Sequence, residues 1–239
     1  MSRPDGSRPV GARIDGVHHI AVMAGDIKTH IAFFSEVLGC ELKALFFMHG
    51  VPGAYHAFLE MNDACYFSIV ETPEARTIPI ELGKTHSGNG ALSSAPGTMQ
   101  HIAFRAADET ALLGLRDRIR SYGVNVFGPI DHGFCRSIYF AGPDQLTLEI
   151  STQMTELDPR AWIDPEVVGL AGISAEELAR YTRPAPSPDA GGAVPQPAYD
   201  PAKPHMVYPE AMYQQMLSVP DEVITAASRF TDPPVKITA

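Results

Sequence analysis

Positive charge is scarce in this chain. Lys and Arg number 18 against 28 Asp and Glu, for a net charge of −10, and no stretch is strongly basic. A nucleic-acid binder needs a positive footprint, so that class is set aside. Long apolar runs are missing too. Nothing approaches the ~18 consecutive apolar residues of a membrane span, and no apolar run follows Arg3 and Arg8, as it would in a signal peptide. The expectation is a cytoplasmic protein without membrane contact. Cysteine is sparse: Cys40, Cys65 and Cys135 are odd in number and match no zinc-binding spacing. They read as reduced, mostly buried thiols, although Cys135 falls close to the candidate site residues described below. What remains is an ordinary globular composition, 239 residues with 45% hydrophobic, enough for one or two domains.

An internal repeat organises the first 150 residues. His19-Ile20-Ala21-Val22-Met23-Ala24-Gly25-Asp26 and His101-Ile102-Ala103-Phe104-Arg105-Ala106-Ala107-Asp108 share five of eight positions at an offset of 82 residues. Each begins as a short apolar strand and ends on an aspartate placed to cap a helix. After Asp26, Ile27, Ile31, Phe34, Val37 and Leu38 recur at helical spacing, and Gly39 stops the helix. After Asp108 the apolar set is Leu112, Leu115 and Ile119, with Tyr122 closing and Gly123 stopping. Strand-like stretches follow each helix: about 40–47, 55–61 and 65–71 in the first half, and 124–127, 137–141 and 147–151 in the second. The pattern predicts an α+β fold of two βαβββ modules, about 14–75 and 97–153, joined by a Gly-, Ser- and Pro-rich loop over 78–97.

A histidine on the first strand of both halves suggests a metal. If a two-fold axis relates the halves, those strands lie side by side, and His19 and His101 point into one cleft. A third ligand from the same surface is Glu149, because Leu148 and Ile150 alternate to the opposite face. His18 alternates away from His19 and reads as its packed or exposed neighbour.

Taken in order, His19–Val22, Asp26, Phe33-Phe34, Val37–Gly39, Gln100–Phe104 and Ser137–Asp144 with Leu148-Glu149 resemble the vicinal oxygen chelate superfamily. That family includes glyoxalase I, type I extradiol dioxygenases and the fosfomycin and bleomycin resistance proteins. The resemblance covers about 15–153. It implies that His19, His101 and Glu149 hold a divalent metal. At the position where glyoxalase I has a fourth protein ligand, this chain has Ser68, with Glu71 three residues on. Two histidines and one carboxylate leave positions open for substrate and oxygen on Fe(II), with Mn(II) or Zn(II) as alternatives. Tyr139, ten residues before Glu149, and His132 in Asp131-His132-Gly133 resemble the extradiol residues that orient substrate and oxygen. Two departures stand out. The turn reads Gly142-Pro143-Asp144-Gln145, and the strand Cys65–Val70 lacks the acid–base histidine of extradiol enzymes. His56 is the replacement candidate, and His49 a weaker one.

The implied activity is a metal-dependent reaction on a small molecule with adjacent oxygens, of the extradiol dioxygenase kind. The alternatives are a redox-inert glyoxalase, isomerase, lyase or thiol transferase of the same fold, or a metal-free drug- or ligand-binding protein. Residues 1–153 form the catalytic domain in this reading and 154–239 a C-terminal extension. Ser174–Glu177 is a capping box that opens a short helix to about Tyr181. A proline-rich arm follows over 183–209, then helices from about Glu210 to Ser218 and from Pro220 to near Phe230. Either the extension is a disordered appendage, or it wraps a second subunit of a homodimer or larger homo-oligomer.

Overall fold

The computed structural model describes residues 14–186, 192–228 and 232–236. Two βαβββ modules are present. The first comprises β1 (His19–Met23), α1 (Ile27–Ala32), β2 (Glu41–Phe47), β3 (Tyr55–Asn62) and β4 (Cys65–Glu71), with sheet order β1-β4-β3-β2. The second comprises β5 (Ile102–Arg105), α2 (Glu109–Ser121), β6 (Phe127–Asp131), β7 (Cys135–Ala141) and β8 (Thr147–Gln153), with order β5-β8-β7-β6. In both, the first strand pairs parallel with the last and the other pairings are antiparallel. The registers coincide: Ala21 sits opposite Ser68 as Ala103 sits opposite Glu149. The fold class matches the sequence expectation.

Strand alternation separates a packed face from an open one. Val22, Phe67, Ile69, Ile102, Ile138, Phe140, Leu148 and Ile150 join Phe34, Val37, Leu112 and Ile119 from the helical segments in one buried cluster. Phe34 stacks on Phe67 with ring centroids 3.8 Å apart, and Phe104 meets both rings edge-on, so the two modules share a core. The first strands lie side by side and run in opposite directions. Residues 17 and 20 share a cavity with 103–105, and residues 21–23 share another with 99–101.

The two helices start differently. Asp108 caps α2 by accepting from Ala111 N–H at 2.8 Å. Asp26 instead accepts from the Thr29 hydroxyl at 2.5 Å, and the Ile27 N–H is taken by the Glu71 carboxylate at 2.7 Å. After Ala32 the first helix widens into a π segment, Phe33–Val37, before Gly39 ends it at a φ of 83° that glycine tolerates best. One boundary moves: the strand expected over 124–127 lies at Phe127–Asp131. Gly128-Pro129 looks like a strand break in sequence, but β6 is an edge strand, where proline removes no ladder bond.

Residues 154–182 continue the same compact unit, which spans 14–182. Met154 N–H donates to Phe134 O at 2.8 Å, and Trp162 packs edge-on against Phe134. Helices Pro159–Trp162 (α3) and Pro165–Leu170 (α4), absent from the sequence expectation, are each started by an aspartate cap and a proline. The Ser174/Glu177 capping box forms in both directions and opens α5, Ala175–Thr182. A separate unit begins at Arg183. Its described residues carry no regular element until α6 (Glu210–Leu217) and α7 (Asp221–Ala227), and Tyr199, His205, Tyr208 and Tyr213 cluster there. The expected end of the last helix near Phe230 lies outside the described residues. No helix among the described residues is long and apolar enough to cross a membrane.

Candidate functional site

Strand pairing on the open face of the second module puts Tyr139 directly opposite Glu149, and Glu149 opposite Ala103. Glu149 is 6% exposed, so its carboxylate needs partners. It has them. Ser151 Oγ donates to Oε1 at 2.5 Å, and Oε2 lies 3.0 Å from His101 Nε2. Ser137 Oγ, 2.6 Å from Ser151 Oγ, extends the chain, with Cys135 Sγ 3.8 Å beyond it.

His101 immediately precedes β5. Its Nδ1 meets Gln100 Oε1 in a very short hydrogen bond. The orientation of that amide follows from its other end, where Gln100 Nε2 donates to the carbonyls of Asn89 and Leu92 at 3.2 and 3.3 Å. An amide oxygen only accepts, so Nδ1 carries the proton. In neutral imidazole Nε2 then holds a lone pair facing a carboxylate oxygen. Two acceptors 3.0 Å apart require either a second proton on the ring or a shared cation.

Tyr139 Oη lies 2.9 Å from His132 Nε2. Burial, and after it the Glu149 charge, push the phenol up from its ordinary value, so it stays a neutral hydroxyl. His132 is presented by a turn that Asp131 fastens, accepting from Gly133 N–H and from Arg136 Nε. His101, His132 and Tyr139 line a cavity of 530 Å³ whose other walls include Phe127, Ile130, Phe140 and Leu146, with Gly88–Ala91 of the connecting loop across from them.

The first module arranges its open face otherwise. His19 packs edge-on against Phe58, 5.5 Å between centroids, and its Nδ1 is 2.9 Å from Nδ1 of His18. His56 Nε2 is 2.6 Å from Ser68 Oγ. Burial first, then the neighbouring His19 and His49, lower the His56 pKa, which favours its neutral form. Glu71 takes no part in this face: it caps α1 and binds Arg76 Nη2 at 2.7 Å.

The structure thus joins His101 to Glu149 and Tyr139 to His132, and sets His56 beside His19. It does not gather the expected triad: no group of three His, Cys, Asp or Glu side chains close enough to hold one metal ion forms among the described residues. Gln100, Ser137 and Ser151 were not singled out from sequence. Period-two alternation from Glu149 was the available signal for Ser151, and adjacency to His101 the signal for Gln100.

The family model "Glyoxalase/Bleomycin resistance protein/Dioxygenase superfamily" matches residues 16–150. The chain belongs to that superfamily. Its matched region includes His19, His56, His101, His132, Tyr139 and Glu149 and ends one residue before Ser151. Similar solved structures include a glyoxalase/bleomycin resistance protein/dioxygenase domain from Frankia sp. EAN1pec, at 14% identity over 59% of this chain and 100% of that one, TM-score 0.47. The fosfomycin resistance protein FosX from Listeria monocytogenes, solved as a mutant with Mn(II) and 1S,2S-dihydroxypropylphosphonic acid, is 19% identical over 62% and 99%, TM-score 0.42. The antibiotic-binding protein TnmS3 from Streptomyces sp. CB03234 is 19% identical over 60% and 99%, TM-score 0.44. No protein of curated function matches.

Proposed function

We propose that this superfamily member is a metal-dependent enzyme acting on a small molecule with two adjacent oxygens, of the extradiol dioxygenase kind, with His101 and Glu149 as the core of the metal site. One observation carries this reading: His101 Nε2 and the buried Glu149 carboxylate stand 3.0 Å apart. Two ligands each about 2.1 Å from one ion and at a right angle are about 3.0 Å apart. The pair therefore has the spacing of neighbouring ligands. Imidazole plus carboxylate suits Fe(II), with Mn(II) or Zn(II) possible, and His19 is the proposed third ligand.

A bound Fe(II) would supply Lewis acidity and the redox partner for O₂. The remaining roles belong to the chain. The apolar side chains of Phe127, Ile130, Phe140 and Leu146 line the cavity and suit a flat aromatic ring. The Tyr139 hydroxyl is held by His132 at 2.9 Å and presents a donor toward a substrate oxygen, with the imidazole able to return a proton to it. Ser151 fixes Glu149 Oε1, so that Oε2, beside His101 Nε2, would be the oxygen to meet the ion. His56, beside His19, is the proposed acceptor of a substrate proton.

The test is Fe(II) reconstitution followed by oxygen uptake with a panel of catechols. Substrate-dependent O₂ consumption that is lost in His101→Ala and Glu149→Gln supports the proposal. Turnover that is unchanged without oxygen overturns the dioxygenase assignment in favour of a redox-inert isomerase, lyase or thiol transferase. A second reading, a metal-free ligand-binding protein, draws on the absence of a three-residue metal cluster among the described residues. It predicts that an aromatic ligand binds equally well to His101→Ala and to the parent protein.

A further inference from the structure

A second cavity opens from the packed side of the modules. Its volume is 400 Å³, within the size range of small-molecule pockets, and it shares no residue with the two cavities that His101 borders. Both modules line it. Phe34 and Ile150 reach it from the buried cluster, and Ile20, Leu38, Phe104 and Leu115 pack against that cluster while only partly buried. The lining is thus a stretch of core that the described residues leave uncovered. Charged and polar groups stand among these apolar ones. Glu60 is neutralised by Lys43 Nζ at 2.9 Å. Asn62 Oδ1 accepts from Ala64 N–H at 2.9 Å, so its NH₂ remains to donate. Arg105 is the exception among the arginines described in the two modules. Arg76, Arg116, Arg118, Arg120 and Arg136 each bind a carboxylate or a carbonyl oxygen, whereas no hydrogen bond or ion pair among the described residues engages Arg105. Because β5 is an edge strand, Arg105 borders this cavity and also a smaller one of 240 Å³ that Cys135 and Ser151 line.

We infer that the 400 Å³ cavity is a binding site for a small amphiphilic carboxylate, with its apolar chain against Phe34, Leu38 and Leu115 and its carboxylate on Arg105. Two observations set this occupant. The half-buried apolar side chains gain from a further apolar body, because covering their remaining surface is favourable in proportion to its area. The arginine without a partner presents a planar fork of donors, which a carboxylate accepts in two parallel bonds. The Asn62 NH₂ adds a donor at the same cavity. A cationic head group finds no equivalent partner, since the one carboxylate in the lining, Glu60, is committed to Lys43. The site is independent of the metal reading: none of His19, His101 and Glu149 borders this cavity.

Octanoate, 1-octanol and octylamine carry one chain with three head groups, and calorimetric titration of the full chain compares them. Octanoate should bind about 10-fold or more tightly than either of the others, as a charge-assisted bond to the head group requires. Arg105→Gln, a change at an exposed side chain, should lower octanoate affinity about 10-fold and leave 1-octanol affinity unchanged. Two free thiols report the place of binding: Cys65 lines this cavity and Cys135 the smaller one on the open face. Saturating octanoate should slow maleimide labelling of Cys65, read by peptide mass spectrometry, more than that of Cys135. Equal affinity for the three head groups, or an Arg105→Gln protein that binds octanoate as the parent does, overturns the carboxylate assignment. Octanoate binding that leaves Cys65 labelling unchanged puts the ligand elsewhere and overturns the site, as does a parent protein that binds none of the three.

Discussion

The two modules share a scaffold and differ in what they mount on it. Each first strand sets an alanine opposite the key position of the last strand: Ala21 faces Ser68 and Ala103 faces Glu149. One strand further, Phe58 pairs with Ser68 where Tyr139 pairs with Glu149. The second module therefore has a carboxylate and a phenol where the first has a hydroxyl and a phenyl ring. The histidines follow suit. His101 meets a buried carboxylate and a fixed amide, whereas His19 rests among Phe58, His18 and His56. A duplicated fold tolerates this divergence because its stability lies on the other face of the sheets, in Phe34, Phe67, Leu112, Ile138 and Leu148, leaving the open faces free to differ.

Several substitutions test that contrast. The largest effect is expected at the carboxylate: Glu149→Gln should weaken Mn²⁺ binding by about 100-fold or more, read by calorimetric titration, while Ser68→Ala at the equivalent position changes it little, because charge-assisted ligation is lost only in the former. Next comes the shared core. Phe67→Ala removes the ring stacked 3.8 Å from Phe34 and should cost about 3–5 kcal/mol in denaturant unfolding, with one cooperative transition for both modules, since Phe104 contacts the same rings. Separate transitions would contradict a common core. At the phenol, Tyr139→Phe should leave Mn²⁺ affinity within a few-fold yet lower oxygen-dependent turnover about 100-fold. Phe58→Tyr in the first module should not restore it. The smallest difference concerns the helix starts. Asp108→Ala should destabilise by about 1 kcal/mol, and Asp26→Ala by less, because Glu71 rather than Asp26 accepts from the backbone of α1. Equal losses would show that the two caps act alike.

Much of this was readable from residues alone, for identifiable reasons. The His-Ile-Ala repeat and the helical spacing after each aspartate are local signals, and they placed both modules and most strand bounds. The facing of Glu149 away from the packed side of its strand followed from alternation within Leu146–Ile150. Other features depend on long-range geometry. Which carboxylate caps α1 turns on Glu71 arriving from a strand 44 residues later. The short helices near 159–170 belong to the module only because Trp162 finds Phe134. That His19, His101 and Glu149 form no three-residue group among the described residues turns on how the two modules are placed, which no periodicity encodes. The part played by Gln100 was equally hidden, because its partners Asn89 and Leu92 sit in an irregular loop.

The claim that His101 and Glu149 are neighbouring ligands of one ion is tested most directly by crystals grown with Mn²⁺ and measured for anomalous scattering. The account predicts a peak about 2.0–2.3 Å from both His101 Nε2 and Glu149 Oε2. A protein that crystallises at saturating Mn²⁺ with no peak there, or with the ion bound to other side chains, contradicts it.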